Sequence, residues 1–212
     1  MITRTVVVVE DESFLRSLIA GSLEKSGFIV HTAADAKSAR KKISAVDPDV
    51  VVLDVDLGPG PTGLDIGEAL LAQSTKTAVV YLTMLSDPRF VDPQGTINSR
   101  AAYLNKRLIG DDSVLVDAIE AVVRESDLSN YRDDLRTDQP LKNLSSTQVE
   151  ILKYIAEGKT NQQIAAARGR SLSATEGTIS RTFIAMGIDP AEDLNARVLA
   201  VKKYLNTVGI TQ

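Results

Sequence analysis

The sequence has 212 residues, of which 43% are hydrophobic, 25% charged and 4% aromatic, a composition typical of a soluble protein of one or two small domains. It has no cysteine, which excludes disulfides and thiolate metal sites, and the single histidine, His31, leaves no basis for a histidine hydrolase or zinc site. The net charge of −4 is uneven, because residues 1–126 carry 13 basic and 18 acidic side chains whereas residues 141–212 carry 9 and 6. No apolar run approaches the length that spans a membrane, so we expect a cytoplasmic protein with no membrane partner.

Residues 1–126 alternate between apolar β-branched runs and amphipathic stretches. Strands are predicted at 5–10, 28–33, 49–55, 77–85 and 101–106, and helices at 13–27, 35–46, 63–74 and 113–126. Unbroken valine runs indicate strands that are covered on both faces. This pattern predicts an α/β doubly wound fold around a five-stranded parallel sheet.

Polar side chains stand at the predicted ends of four of these strands: Glu10, Asp11, Asp54, Thr83 and Lys106. Each alone has a plain structural explanation, such as a helix cap or a solvated strand end. The carboxyl ends of parallel strands meet at one edge of the sheet, however, and ligands bind there. Clustered carboxylates repel one another and, with oxygen ligands only, favour a hard cation such as Mg²⁺. We therefore predict that Asp54 accepts a phosphoryl group beside a magnesium ion.

Four short motifs in this half resemble the receiver domain of two-component response regulators, a flavodoxin-like fold. They are VVVVEDE, LDVDL, YLTM and AYLNK, which end at Glu12, Leu57, Met84 and Lys106. The resemblance implies that a histidine kinase phosphorylates Asp54 and that Thr83 and Lys106 bind the phosphoryl oxygens. It also implies that Tyr103 is an aromatic switch that turns inwards on phosphorylation. The magnesium ligands implied are Glu10, Asp11, Asp54 and the backbone carbonyl of Asp56.

Several features depart from the receiver pattern, and two of them bear on the site and its output. Met84 follows Thr83, where the family usually has a small residue, and this could narrow access to the phosphoryl group. Residues 86–100 replace the family's fourth helix but contain Pro88, Pro93 and Gly95. We predict a loop or a short, distorted helix there, and with it a rebuilt output surface.

The remainder of the chain is predicted to be helical. The polar linker 127–140 could be a tether or a helix, and the helical spacing of Leu128, Tyr131 and Leu135 favours an extension of the preceding helix or a short second one that ends at Gln139–Pro140. Helices follow at 145–158, 160–169, 172–186 and 191–206, with a tight turn before the third, which fits a small all-α four-helix helix-turn-helix domain. The predicted domains are therefore 1–126 (receiver), 127–140 (linker) and 141–212 (helix-turn-helix).

Residues 141–212 resemble the LuxR-type DNA-binding domain, through LSSTQVEILKYIAEGKTNQQIA and the spacing from Ser171 to Ile188. The resemblance makes 172–186 the recognition helix for promoter DNA, with Ile179, Thr182, Phe183 and Met186 facing the core. An acid at Glu176, where the family usually has lysine, is unfavourable near phosphate but can accept a hydrogen bond from cytosine. The predicted DNA-binding residues are Lys159, Thr160, Asn161, Ser171, Ser173, Glu176, Ser180 and Arg181.

Together these features predict a response regulator that is phosphorylated on Asp54 by a histidine kinase and binds double-stranded DNA as a homodimer, without being an enzyme. Three alternatives stay open. The C-terminal domain could bind a protein instead of DNA, or the protein could act without phosphorylation. An aspartate-nucleophile phosphatase is the third, since such enzymes need an acid two residues after the nucleophile, and Asp56 stands there.

Overall fold

The computed structural model describes residues 3–73, 76–92, 95–108, 111, 113–137, 141–189 and 195–208. The chain forms two compact units. The first comprises Met1–Met84 and Ile97–Leu135, and the second comprises Leu85–Thr96 and Arg136–Gln212. The chain therefore leaves the first unit after Met84 and returns to it at Ile97.

The first unit is built on a parallel sheet of five strands, in the order β2-β1-β3-β4-β5. The strands are β1 (Thr5–Val9), β2 (Ile29–Ala33), β3 (Val50–Leu53), β4 (Ala78–Thr83) and β5 (Ala102–Asn105). The helices between and after them are α1 (Ser13–Lys25), α2 (Ala36–Val46), α3 (Gly63–Ala72) and α4 (Ser113–Val123). This strand order is that of flavodoxin-like folds, so the predicted fold class is confirmed.

Burial of the central strands explains their composition. All four residues of β3 are fully buried, as are the valines of β1. Alternate residues of these strands, such as Val6, Val8 and Val52, form one core with α4 through Leu115 and Ile119. The opposite face of each strand is also buried, which is why the sequence shows continuous valine runs and not an alternating pattern.

The segment after β4 contains no α-helix within its described residues. A single 3-10 turn spans Pro88–Phe90, and the Asp87 side chain accepts a hydrogen bond from the Arg89 amide at 3.0 Å. Pro88 fits the first position of this turn because it has no amide hydrogen to donate. The prediction of a loop or short, distorted helix is confirmed for the described part of 86–100, while Pro93 lies outside the described residues.

The predicted helical linker is wrong for its described residues. Helix α4 ends at Val123, and Glu125 has a φ of +51°, which breaks the helix. Asp127 then accepts hydrogen bonds from the amide and hydroxyl of Ser129, at 3.0 and 2.9 Å, and this local bonding competes with helix formation. The chain continues as two 3-10 turns, Ser129–Tyr131 and Asp133–Leu135. The predicted end at Gln139–Pro140 lies outside the described residues.

The second unit contains the predicted small helical domain. Its helices are α5 (Ser146–Ala156), α6 (Asn161–Arg168), α7 (Leu172–Ala185) and α8 (Ala196–Val208). Gly169, at a φ of +60°, ends α6, and Ser171 caps α7 by accepting a hydrogen bond from the Ala174 amide at 3.2 Å. The turn between α6 and α7 is therefore as short as a helix-turn-helix requires. The predicted start of the last helix at 191 lies outside the described residues.

Across the part of the chain that the structure describes, no helix is both long enough and apolar enough to cross a lipid bilayer.

Candidate functional site

Three carboxylates gather beyond the carboxyl ends of β1 and β3. Glu10 and Asp11 follow β1, Asp54 follows β3, and one oxygen from each lies within 4.8 Å of the other two. The two strands are neighbours, with Val9 opposite Leu53, and the Asp54 amide donates to the Val9 carbonyl at 2.8 Å. The sheet itself therefore brings these three predicted residues together.

Lys106 lies between two of these carboxylates. Its Nζ is 2.5 Å from Glu10 Oε2 and 2.6 Å from Asp54 Oδ2. The side chains of Lys106, Glu10 and Asp54 are only 11%, 3% and 10% exposed, so both contacts are shielded from solvent. The Lys106 amide donates to the Thr83 carbonyl at 2.8 Å, which fixes the start of this side chain to the end of β4.

Two groups of this cluster, Glu10 and Lys106, have pKa values raised from their usual values. Burial raises the pKa of Glu10, the hydrogen bond from Lys106 lowers it in part, and the neighbouring Asp54 charge raises it further. Burial alone would lower the pKa of Lys106, but the charges of Asp54 and then of Glu10 raise it above its usual value. One ammonium faces three carboxylates, and this surplus of negative charge favours an additional cation.

The two predicted switch residues, Thr83 and Tyr103, are both buried. Thr83 ends β4 with 1% of its surface exposed, and Tyr103 on β5 is 0% exposed, with its ring centroid 6.2 Å from that of Tyr81. The expected inward turn of Tyr103 on phosphorylation stays a prediction, and in this structure the ring already lies inside. The physical reason is that the linker covers β5: Arg132 forms a bridge with Tyr103, and Asp133 Oδ2 accepts from the Asn105 amide at 2.8 Å.

The loop after Asp54 is held close to the acids. The Asp56 amide lies 3.3 Å from Asp54 Oδ1, and the Asp56 side chain turns away to accept from the Gly58 amide at 3.2 Å. Asp56 is exposed. The arrangement leaves the Asp56 side chain out of the carboxylate cluster, in keeping with the predicted role for its backbone only.

Two residues that support the cluster were not predicted from the sequence. Arg16 Nη1 donates to the carbonyls of Glu10 and Asp11 at 2.7 and 3.1 Å, so it holds the backbone that carries both acids. Gly63 begins α3, and a Cβ at this position would lie 1.9 Å from the Asp54 carbonyl oxygen. Only glycine allows α3 to start so close to the end of β3. Of these two residues, Arg16 could have been found from the sequence, because it is an arginine one turn into the helix that follows the paired acids Glu10 and Asp11.

Helix α7 has the predicted buried and exposed faces. Ile179, Thr182, Phe183 and Met186 are buried as predicted, and Thr175 is buried as well. Ser173, Glu176 and Arg181 are exposed, and Ser180 is partly exposed. The hydroxyl of Thr175 is buried and has no hydrogen-bond partner among the described residues.

Residues at the start of α6 are already engaged in local contacts. Thr160 caps the helix and Gln163 completes a capping box, which satisfies the amides of both residues. Lys159 is already engaged, with Nζ 4.0 Å from the centre of the Tyr154 ring and 2.8 Å from Glu157 Oε2. Thr160 and Ser171 are exposed, so this end of α6 and the start of α7 are both open to a ligand.

Arg197 of α8 braces this region and was also not predicted. Its guanidinium donates to Asn161 Oδ1 at 3.0 Å and to the carbonyl of Lys159. Burial lowers the pKa of Arg197 from its usual value, although an arginine remains charged at neutral pH. Asn161 is thus a structural partner of α8 in this conformation and not a free surface residue.

Two families match the chain. One is described as the response regulator receiver domain and matches residues 6–120. The other is described as bacterial regulatory proteins of the luxR family and matches residues 142–180. The first match alone covers more than half of the 212 residues.

One curated relative and two solved structures each span nearly the whole chain. The oxygen regulatory protein NreC of Staphylococcus haemolyticus is 26% identical over 94% of this chain and 98% of its own length. A structure titled as a complex of the response regulator RcsB with DNA covers 97% of this chain and 99% of its own, at 20% identity and a TM-score of 0.60. RcsB of Salmonella enterica serovar Typhimurium, bound to the rprA promoter in the presence of phosphomimetic BeF₃⁻, covers 94% and 98% at 19% identity and a TM-score of 0.57. At these identities the two structures support the fold.

Proposed function

The chain belongs to the response regulator family, as a DNA-binding two-component response regulator with an N-terminal receiver and a C-terminal LuxR-type domain, and from this premise we propose that Asp54 is its phosphorylation site. The observation that carries the proposal is the cluster itself, in which Glu10, Asp11 and Asp54 meet within 4.8 Å beside Lys106. A histidine kinase would be the physiological phosphoryl donor. Because this protein would act on DNA, we expect it in the cytoplasm.

The donor set of the cluster suits magnesium. Three carboxylates offer only oxygen, and Mg²⁺ prefers oxygen ligands while retaining several waters. Glu10, Asp11 and Asp54 would hold the ion, together with the backbone carbonyl of Asp56. When bound, the ion would neutralise the carboxylates and the phosphoryl oxygens, so that an anionic donor can approach.

The chain's own residues account for the remaining chemistry. A carboxylate oxygen of Asp54 attacks phosphorus, the bond from phosphorus to the donor's leaving group breaks, and an acyl phosphate forms on Asp54. Lys106, now 2.6 Å from Asp54 Oδ2, moves onto a phosphoryl oxygen, and the Thr83 hydroxyl donates to another. The phosphoryl group carries about −1.5 to −2 charges at neutral pH, and because Asp54 gives up its own carboxylate charge, the site gains about −0.5 to −1, enough to redistribute these contacts.

The proposal is tested with acetyl phosphate and Mg²⁺ on the full chain, followed by intact-mass spectrometry. We expect one labile phosphoryl adduct, lost in Asp54→Asn and absent when EDTA replaces Mg²⁺. Asp56→Asn is the matched control, because the exposed Asp56 side chain lies outside the carboxylate cluster, so its adduct should form as in the wild type. An adduct that survives Asp54→Asn would contradict the assignment.

The same control separates the regulator from the phosphatase alternative. A phosphatase of the aspartate-nucleophile class would use the Asp56 carboxyl as its general acid. Such an enzyme would turn over a small phosphomonoester, and Asp56→Asn would abolish the turnover. A regulator would instead form the acyl phosphate in both the wild type and Asp56→Asn, and neither protein would turn over the phosphomonoester.

We also propose which face of the second unit meets DNA. The positive end of the α6 helix dipole and the exposed Thr160 and Ser171 would favour phosphate, while Ser173, Glu176 and Arg181 on α7 would face the bases. Lys159, Asn161 and Ser180 complete the predicted set, although Lys159 and Asn161 must first exchange their present partners. Affinity for duplex DNA should fall steeply as salt is added, because phosphate contacts release counterions. A flat salt dependence would favour a protein partner.

The active form is proposed to be a homodimer. Paired DNA half-sites are related by a two-fold axis, and a symmetric dimer presents two copies of α7 to them. Light scattering of the full chain before and after treatment with acetyl phosphate and Mg²⁺ measures this directly. We expect the mass to double on phosphorylation or on DNA, and a monomeric complex on DNA would refute the dimer.

A further inference from the structure

The segment Leu85–Thr96, here called the docked segment, joins two strands of the first unit but packs within the second. It follows β4 of the sheet, and the chain returns to the sheet through Ile97 and β5. Leu85, Ser86, Asp87, Pro88 and Phe90 are all buried. The segment is therefore anchored and is not a solvated loop.

Polar anchoring comes from an aspartate and an arginine two residues apart. Arg89 Nη2 is 2.6 Å from Asp87 Oδ2, and Arg89 Nε is 3.0 Å from both Asp87 carboxylate oxygens. The same guanidinium donates to the carbonyl of Lys142 at 3.2 Å and to that of Leu144. The Arg89 side chain is 19% exposed and the Asp87 side chain 5% exposed, so these hydrogen bonds are largely shielded from water.

An aromatic contact provides a second anchor. The ring of Phe90 meets the ring of Tyr204 on α8 edge to face, with centroids 5.5 Å apart and an interplanar angle of 83°. The anchors thus lie on residues 142–144 ahead of α5 and on α8. Neither of these two anchors lies on the recognition helix α7.

One end of the docked segment starts next to Thr83, which is predicted to bind the phosphoryl group. Only Met84 separates Thr83 from Leu85, and the four steps from Thr83 to Asp87 span at most about 14 Å even when fully extended. At the other end, the Ile97 carbonyl accepts from Arg132 at 3.2 Å, and Arg132 forms the bridge to Tyr103. A shift of Thr83 therefore has few residues through which it can be absorbed before it reaches Asp87.

From this placement we propose that the docked segment couples the state of Asp54 to the DNA affinity of the second unit, with Asp87, Arg89 and Phe90 as the coupling residues. The proposal rests on Asp54 being the phosphorylation site. When Thr83 moves towards a phosphoryl group, the segment is displaced from its anchors or drawn tighter onto them, and the surroundings of α5 and α8 change with it. Coupling between two sites is reciprocal, so DNA binding also changes the stability of the acyl phosphate.

The experiment compares DNA affinity of the full chain with and without acetyl phosphate and Mg²⁺, using a duplex that the wild type selects from a random-sequence library. The test variant is Asp87→Asn with Arg89→Gln, which removes both charges and leaves neither buried alone. The control is Glu120→Gln with Arg124→Gln, which removes an ion pair at the end of α4 together with the contact of Glu120 with Arg4, both away from the docked segment. We expect phosphorylation to change the affinity of the wild type and the control at least about 5-fold, and that of the test variant less than about 2-fold.

Intact-mass spectrometry on the same samples separates the two proposals. An adduct in both wild type and test variant, with coupling lost only in the test variant, supports the docked segment as the link. An adduct in both, with the coupling of the test variant equal to that of the wild type, overturns this inference and leaves the phosphorylation site intact. A wild type that forms no adduct removes the phosphorylation proposal and this inference with it.

Hydrogen exchange on the wild type tests the inference without any variant. The amides of Phe90, Asp92 and Gly95 donate to backbone carbonyls inside the segment, at 3.2, 3.2 and 2.7 Å. Their exchange rates should change at least about 10-fold on phosphorylation, which is a free-energy change of about 1.4 kcal/mol. Rates in 85–96 that stay the same while Asp54 is fully phosphorylated would overturn the inference.

Discussion

Replacing Lys106 with methionine should destabilise the protein in a strongly pH-dependent way. The side chain is the cation that Glu10 and Asp54 share at 2.5 and 2.6 Å, and all three side chains are nearly buried. Lys106→Met keeps most of the aliphatic volume but leaves two carboxylates facing each other. Breaking a buried ion pair from one side costs about 3–5 kcal/mol.

Protonation of Glu10 limits this cost, and so sets its dependence on pH. The pKa of Glu10 is already raised by burial, and loss of the Lys106 hydrogen bond would raise it further. The folded variant then binds a proton that the unfolded chain releases, so the stability of the variant falls as pH rises. Protonating a glutamate of ordinary pKa costs about 1.36 kcal/mol for each pH unit above that pKa, which sets an upper limit on the loss of stability. This limit is about 5 kcal/mol at pH 8 and about 1 kcal/mol at pH 5.

Urea unfolding in EDTA at about pH 8 and about pH 5 measures the difference. Lys41→Met, at an exposed position of α2, controls for the loss of a lysine and should be nearly neutral at both values. Added Mg²⁺ should recover more stability in Lys106→Met than in the wild type, because the ion replaces the missing positive charge. A loss below about 1 kcal/mol at pH 8, or an equal loss at both pH values, would refute the electrostatic reasoning.

Three further outcomes follow from single contacts. Gly67→Ala places a Cβ 2.1 Å from the Tyr81 hydroxyl and should lower the free energy of unfolding by about 1–3 kcal/mol in thermal unfolding. Gly21→Ala in α1, which has open space around it, should raise that free energy by about 0.5–1 kcal/mol. A Gly67→Ala variant that is more stable than the wild type would contradict this reasoning. Thr175→Val removes a buried hydroxyl without a partner in the described residues and should raise the unfolding free energy by about 1 kcal/mol, and a loss of stability would reveal an unrecognised partner. Glu176→Gln should strengthen binding to random-sequence duplex DNA in fluorescence anisotropy, most at low salt, and no change would place Glu176 away from the phosphates.

The sheet and the acidic cluster were predictable from the sequence because both follow from local chemistry. Strands buried on both faces leave continuous valine runs, and residues that follow neighbouring parallel strands must meet at one edge. Glu10, Asp11 and Asp54 therefore came together as their positions along the chain predicted. The buried face of α7 was predictable for the same reason, since helical spacing determines which residues face the core.

The features that the sequence did not reveal depend on contacts between distant parts of the chain. Leu128 and Tyr131 fit a helical spacing, but Leu128 is buried against the sheet core and Asp133 bonds to β5, so tertiary contacts outweigh the local pattern. Prolines in 86–100 indicated that a helix was absent, yet nothing local showed that Arg89 would bind carbonyls more than fifty positions away. The buried state of Tyr103 was missed because its cover comes from that same linker.

The linker on β5 also has a practical consequence for dissecting the protein. β5 is an outer strand of the sheet, and an uncovered outer strand offers unpaired amides and carbonyls to any other chain. Asp133 occupies one of those amides, and the turns from Ser129 to Leu135 shield the strand. A receiver fragment cut at Ser126 would lose this cover and be prone to aggregate. A fragment that ends after Leu135 keeps the residues that cover its outer strand.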